Sequence, residues 1–322
     1  MRPIKIDKDL NDFAIQFSND LFADRPINFV APSILLANLL AKYSALGLMN
    51  HVRVLKLIIF SYNKSLLYCN PEIQQKLVNY TDSKLGSIFF NGKSATTFSE
   101  EIIKALRYDS LQKHYAYKIA DKLELKTCPY CNAMLAITIR KGKKKKARFQ
   151  LDHFFPKSKY PFLCTSYFNL IPCCGNCNQG KSNNSVSLGV DFHLYSDKTP
   201  LNAFKFKLED IDVVKKTIGI KEDKIRINIT HNTIADEAFV EKHNKDYAIQ
   251  SIYDTQKDIV EELVWKTQWY NSYKIEEIEN MLKITPTEIK RMLLGNYVEY
   301  ENIHKRPLSK FMQDIAADLD FF

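Results

Sequence analysis

Four cysteines in two C-x-x-C pairs, Cys128/Cys131 and Cys174/Cys177, bracket the dipeptide Asp152-His153, and Asn178 follows the last of them directly. Each pair presents two sulfurs from one tight turn, and two such turns complete a tetrahedral thiolate site for a structural Zn2+. Asp152 and Asn178 offer oxygen donors, which favour Mg2+ or Mn2+ over zinc at a second, catalytic site. His153 supplies a base that is neutral near physiological pH. Hydrolysis of a phosphodiester needs those parts: a base for water, and positive charge at the phosphoryl and leaving oxygens. Neighbours on a strand point to opposite faces, so Asp152 can hold a cation while His153 faces the water.

Cys174 rather than Cys173 is taken as the ligand, because it stands at the two-residue spacing from Cys177. Cys69, Cys164 and Cys173 read as buried thiols. The 42 residues between Cys131 and Cys174 exceed a simple zinc ribbon, so the zinc clamps the ends of an insert that carries the Asp-His pair. The other six histidines (His51, His114, His193, His231, His243 and His304) read as packed or surface residues.

The formal net charge is +9, and nine Lys or Arg against one acid lie between Arg140 and Tyr160. A local basic cluster attracts polyanions, nucleic acid first among them. Lys143, Lys144, Lys145 and Lys146, with Lys157 and Lys181, are the candidate phosphate contacts, and Lys181 is the one expected nearest the scissile phosphate. Phe154, Phe155, Tyr160 and Phe162 read chiefly as core of the loop. Seven cysteines, four of them in metal-type spacing, suit a reducing compartment, and no signal peptide is evident, so a cytoplasmic protein is expected. The apolar stretch from Val30 to Met49 carries Asn38 and Lys42 and reads as a buried helix, not a membrane span.

The elements that must position these residues follow from periodicity. The expected class is α+β, predominantly helical: an N-terminal helical region over 1–120, a cysteine-rich centre over 121–190, and a C-terminal region over 191–322 with a strand pair and then helices. Strands are expected at Leu135–Ile139 and Ala147–Leu151 around a lysine-rich hairpin tip, with a short extended piece at Asn169–Pro172 and a helix from about Asn178. Phe204–Leu208 and Ile225–Ile229 alternate with period two, as paired strands do. Helices are expected again from about Asp246, one opening on the capping-box layout Thr285-Pro286-Thr287-Glu288 and a last one over Ser309–Leu319.

The runs LDHFFPKSKYPFL and NLIPCCGNCNQGKSN resemble the zinc-containing HNH, or ββα-metal, endonucleases. The resemblance covers about residues 126–190 and implies a ββα unit pinned by the four cysteines. It implies His153 as general base, Asp152 and Asn178 as ligands of the catalytic ion, and Asn169 as the brace of the base. Asn178 stands where the family name has a histidine. The helices feeding into CPYCN and the tail KRPLSKFMQDIAADL are similar to the HNH subunit of Septu-type antiphage systems (PtuB-like), which implies an ATPase partner, and DNA is the substrate expected of the nuclease. Two other readings stand beside this one. One is a zinc-stabilised module that binds nucleic acid or docks a partner without catalysis. The other is a restriction-type HNH nuclease acting alone. The flanks either form a docking surface or complete one core around the centre.

Overall fold

Helix starts are written locally. The side chains of Asn70, Thr96 and Thr285 each accept the N–H three residues on, at 2.9, 3.2 and 3.3 Å, and Pro71 and Pro286 occupy the first helical position behind two of these caps. Such caps satisfy amides that the helix leaves open. The computed structural model describes residues 3–21, 29–62, 65–142, 144–181, 186–196, 198 and 204–321. The described chain is α+β and mostly helical, with three two-stranded antiparallel sheets.

The N-terminal region holds α1 (Lys8–Asp20), α2 (Pro32–Ala45), α3 (Met49–Tyr62), α4 (Pro71–Lys84), α5 (Gly86–Phe89), α6 (Thr97–Ala105), α7 (Tyr108–His114) and α8 (Ala116–Lys122). The stretch expected as one buried helix up to Met49 stops at Ala45, where Gly47 takes a φ of +67° and turns the chain into α3. It is also not fully buried: α2 buries Leu36 and Tyr43 but leaves Ile34 exposed. No helix among the described residues is long and apolar enough to cross a membrane.

In the centre, β1 (Ile137–Lys141) and β2 (Lys144–Arg148) form the lysine hairpin, which lies closer to its tip than alternation alone placed it. The strand expected to continue through Leu151 bends at Phe149. Beyond the bend, β3 (Gln150–His153) leaves its neighbour and pairs instead with β4 (Leu170–Cys173), with Asp152 opposite Ile171 and His153 opposite Leu170. Helix α9 (Gly175–Lys181) follows, three residues earlier than expected.

The C-terminal region holds β5 (Phe204–Leu208), α10 (Ile211–Lys216), β6 (Ile227–His231), α11 (Ile234–Tyr247), α12 (Ile249–Tyr253), α13 (Lys257–Trp269), α14 (Ser272–Leu282), α15 (Pro286–Leu294) and α16 (Ser309–Asp318). The period-two pattern of β5 buries Phe204, Phe206 and Leu208, as expected, and helix begins earlier than expected, at Ile234. The free edge of β5 is covered rather than left open. The Phe206 and Leu208 amides donate to Asp314 and Asp318 of α16 at 3.1 and 2.9 Å, carboxylates one helical turn apart.

One continuous apolar cluster runs from Leu10 to Phe321 and includes all four paired cysteines. Polar bonds knit the same parts together. The Lys126 and Thr127 amides donate to the His304 carbonyl at 3.0 and 3.2 Å. Asn132, buried and at a φ of +54°, donates to the Ile303 carbonyl at 2.7 Å and accepts the Lys310 amide at 3.0 Å. Tyr253 donates to the Cys131 carbonyl at 2.7 Å. The turn bearing Cys128 and Cys131 is therefore held by residues far along the chain.

Candidate functional site

The ligand sulfurs of Cys128, Cys131, Cys174 and Cys177 all lie within 4.8 Å of one another, and all four residues are buried. A tetrahedron with Zn–S bonds of about 2.3 Å has sulfur–sulfur edges of about 3.8 Å. The Cys131–Cys174 separation of 4.0 Å matches it closely. Hydrogen bonds from the other three thiols hold Cys174 well below the usual thiol range, and the same closeness pushes Cys177 up. Four sulfurs this near cannot all ionise without a cation between them. The cluster could hold an ion such as zinc. Cys173, fully buried on β4, stays outside it, as do Cys69 and Cys164.

His153 ends β3 and is buried. Its Nε2 lies 3.0 Å from the Cys164 carbonyl oxygen, an acceptor, so Nε2 carries the proton and Nδ1 keeps the lone pair. Burial, followed by the nearby Lys157 ammonium, lowers its pKa to about 3, so the ring is neutral at physiological pH. The loop after it is fixed by Asn169, also fully buried. Asn169 Oδ1 accepts the Phe155 amide at 2.8 Å, and its Nδ2 donates to the carbonyls of Phe155 and Leu163, both at 3.1 Å. Phe154, Phe155, Tyr160 and Phe162 are buried in the same loop.

Asn169→Ala would strand one amide and two carbonyls in the interior. At about 1–3 kcal/mol for each orphaned group, a loss on the order of 3 kcal/mol or more is expected in chemical denaturation. A loss below about 1 kcal/mol would mean that the loop holds its shape without the clasp.

The other face of β3 looks onto α9. Asp152 Oδ2 accepts from Tyr130 Oη at 2.5 Å and from Lys181 Nζ at 2.7 Å. Lys181 also donates to the carbonyls of His153 and Phe154, at 2.6 and 3.0 Å, and is 2% exposed. That placement differs from the expectation of a phosphate contact. Its charge is spent inside, on Asp152 and the backbone of the His153 turn. Asn178 donates from Nδ2 to Gln150 Oε1 at 2.6 Å, one pleat before Asp152 on the same strand face. Asp152 Oδ1 and Asn178 Oδ1 take no part in these bonds. One carboxylate and one amide oxygen form a hard donor set, and Mg2+ or Mn2+ commonly completes such a set with water. Those two oxygens are the atoms that the bonds to Tyr130, Lys181 and Gln150 leave to such an ion. Gly180 lets α9 approach α11, since a Cβ there would lie 2.5 Å from the Asp246 carbonyl oxygen.

The basic residues divide. Lys145 pairs with Asp121 of α8 and lies over the Tyr117 ring at 5.7 Å, which docks the hairpin onto that helix. Lys146 is exposed, and Lys144 lies in β2 opposite Lys141. Lys143 lies outside the described residues. Lys157 is half-buried and sits over the Tyr108 ring at 4.3 Å. Spacing alone gave no sign of Tyr108, Tyr130 and Gln150, which touch His153, Asp152 and Asn178 respectively. Tyr130, inside the first cysteine turn, was the one within reach of a local reading.

The chain matches none of the family models searched, and no curated protein or solved structure matches it.

Proposed function

We propose that this chain is an HNH-type endonuclease that hydrolyses phosphodiester bonds of DNA with Mg2+ or Mn2+, around a unit held by a structural zinc. One observation carries the reading. An antiparallel strand pair runs into a helix, and Cys174 and Cys177 where that helix starts lie in one four-sulfur cluster with Cys128 and Cys131. His153 ends the first strand, with Nε2 tied to a carbonyl and Nδ1 free of that bond.

The chain's own groups then divide the work. Nδ1 of His153 takes a proton from the attacking water as the new P–O bond forms and the P–O3′ bond breaks, and the departing 3′ oxygen takes a proton from solvent, leaving a 5′-phosphate and a 3′-hydroxyl. Asp152 and Asn178 would hold the divalent ion, which supplies positive charge to the phosphoryl and leaving oxygens. Lys181 and Tyr130 orient Asp152, and Asn169 keeps the turn after His153 in place. A phosphodiester anion beside the imidazole counters the influences that lower its pKa, burial first and then Lys157, and so strengthens the base on binding. The exposed Lys146 of the β1–β2 hairpin adds salt-sensitive affinity for the backbone.

The likeness to Septu-type nucleases supports a wider proposal: a cytoplasmic role in antiphage defence beside an ATPase. The exposed apolar side chains Leu57 and Phe60 on α3 would suit a protein partner. A second reading, a zinc-stabilised unit that binds nucleic acid without cutting it, is favoured by the ion pair that occupies Asp152. Supercoiled plasmid separates the two. The endonuclease nicks it with added Mg2+ or Mn2+, alone or with its partner, and stops when the added ion is withdrawn. Binding without nicking in every combination, at full zinc content, would leave only the second reading.

A further inference from the structure

We propose that Tyr108, from the N-terminal helices, is a positioning residue of this site: its ring sets the Lys157 ammonium beside His153, where Lys157 meets the phosphate on which the base acts. The inference rests on the phosphodiesterase reading above and extends the site beyond the cysteine-bounded segment.

Tyr108 is buried, and its ring touches both groups. The ring centroid lies 4.7 Å from that of the His153 imidazole, with the planes tilted by 56°, and Lys157 Nζ lies 4.3 Å from the same centroid. An ammonium over an aromatic face is attracted by the ring quadrupole and needs no carboxylate to stay there. Among the described residues Lys157 forms no salt bridge, and Asp109 and Asp152 act on it only through space. A half-buried cation with no carboxylate in direct contact is open to a phosphate oxygen.

The ring and the loop that carries Lys157 are both held from the N-terminal side. Arg107, at a φ of +58°, turns the chain between α6 and α7 and aims Tyr108 inward. Ser99 of α6 donates to the Ser158 carbonyl at 3.0 Å, one residue after Lys157. Tyr160 donates to Asp82 of α4 at 2.9 Å. The loop that carries Lys157 is thus moored to α4 and α6, and Tyr108 registers its cation against the base. An aliphatic side chain at 108 could fill space but could not hold the ammonium.

The test uses full-length, zinc-loaded protein and four variants: Tyr108→Phe, Tyr108→Leu, Lys157→Gln and the Leu/Gln double. Binding of a short DNA duplex is measured against salt without added Mg2+, and nicking is measured with it. Lys157→Gln should weaken binding several-fold and lower the salt slope by about 0.9, one phosphate contact. Tyr108→Leu should reproduce both changes and cut the nicking rate at least tenfold. The double variant should be no worse than either single one, and Tyr108→Phe should behave as wild type. A wild-type salt slope in Tyr108→Leu, or additive losses in the double variant, would overturn the proposal.

If Tyr108→Leu loses zinc or helical signal, proton NMR replaces it. The Lys157 ε-methylene should be shifted upfield by the ring in wild type and Tyr108→Phe, and an unshifted signal in wild type counts against the proposal. Failure of the underlying reading looks different: nicking that survives His153→Ala defeats the base assignment and leaves the binding cycle readable.

Discussion

His153→Ala lowers nicking by about 100- to 10,000-fold, the range a positioned general base contributes, while zinc content and helical signal stay at wild-type levels. The size follows from the lone pair that His153 keeps at Nδ1. His193 is buried against the Phe154 ring, with centroids 4.3 Å apart, and His243 is buried with Nε2 2.9 Å from the Tyr130 carbonyl oxygen. The substitution also leaves the Cys164 carbonyl without its donor, which costs about 1–3 kcal/mol. Because part of the effect could be structural, the measurement pairs nicking rates with zinc content and a melting curve. Equal rates for the two proteins would remove His153 from the mechanism and, with it, the reason to read β3, β4 and α9 as a catalytic unit.

Withdrawal of the zinc is expected to be the largest perturbation of stability. The apparent free energy of a structural four-thiolate site is on the order of 10 kcal/mol, comparable with the whole stability of an ordinary domain. The four buried sulfurs lie within 4.8 Å of one another, and an ion held there would clamp the two cysteine turns together. A strong chelator at neutral pH should release one zinc per chain and abolish cooperative melting of the centre. Cys128→Ser or Cys177→Ser should give protein with little bound zinc. A chain that melts cooperatively at an unchanged temperature after complete chelation would show that the apolar cluster alone suffices and that the cysteines are not its clamp.

The parts legible in the sequence are those written within a few residues. The C-x-x-C spacing placed four sulfurs correctly, and the choice of Cys174 over Cys173 agrees with the geometry. The period-two run of β5 and the capping box at Thr285 are local signals, and both appear. Asn169, named by family resemblance alone, clasps the turn after His153. What escaped depends on distance along the chain. Nothing near Lys181 says that its ammonium is buried against Asp152, 29 residues away, and nothing near Lys145 points to Asp121. The bend at Phe149 was missed because the apolar-polar alternation runs on unbroken through it. Pairing with β4, not propensity, decides where β3 begins. Tyr108 escaped for the same reason: an aromatic residue opening a seven-residue helix carries no sign of the imidazole it meets.

The tie between Asn132 and residues 303–310 has a consequence for biosynthesis. Those partners leave the ribosome some 170 residues after the asparagine does, so during translation the first cysteine turn waits half-built. Closing so long a loop is slow, because chain entropy is lost before the contacts repay it. The first cysteine turn therefore gains its full set of bonds only late in maturation.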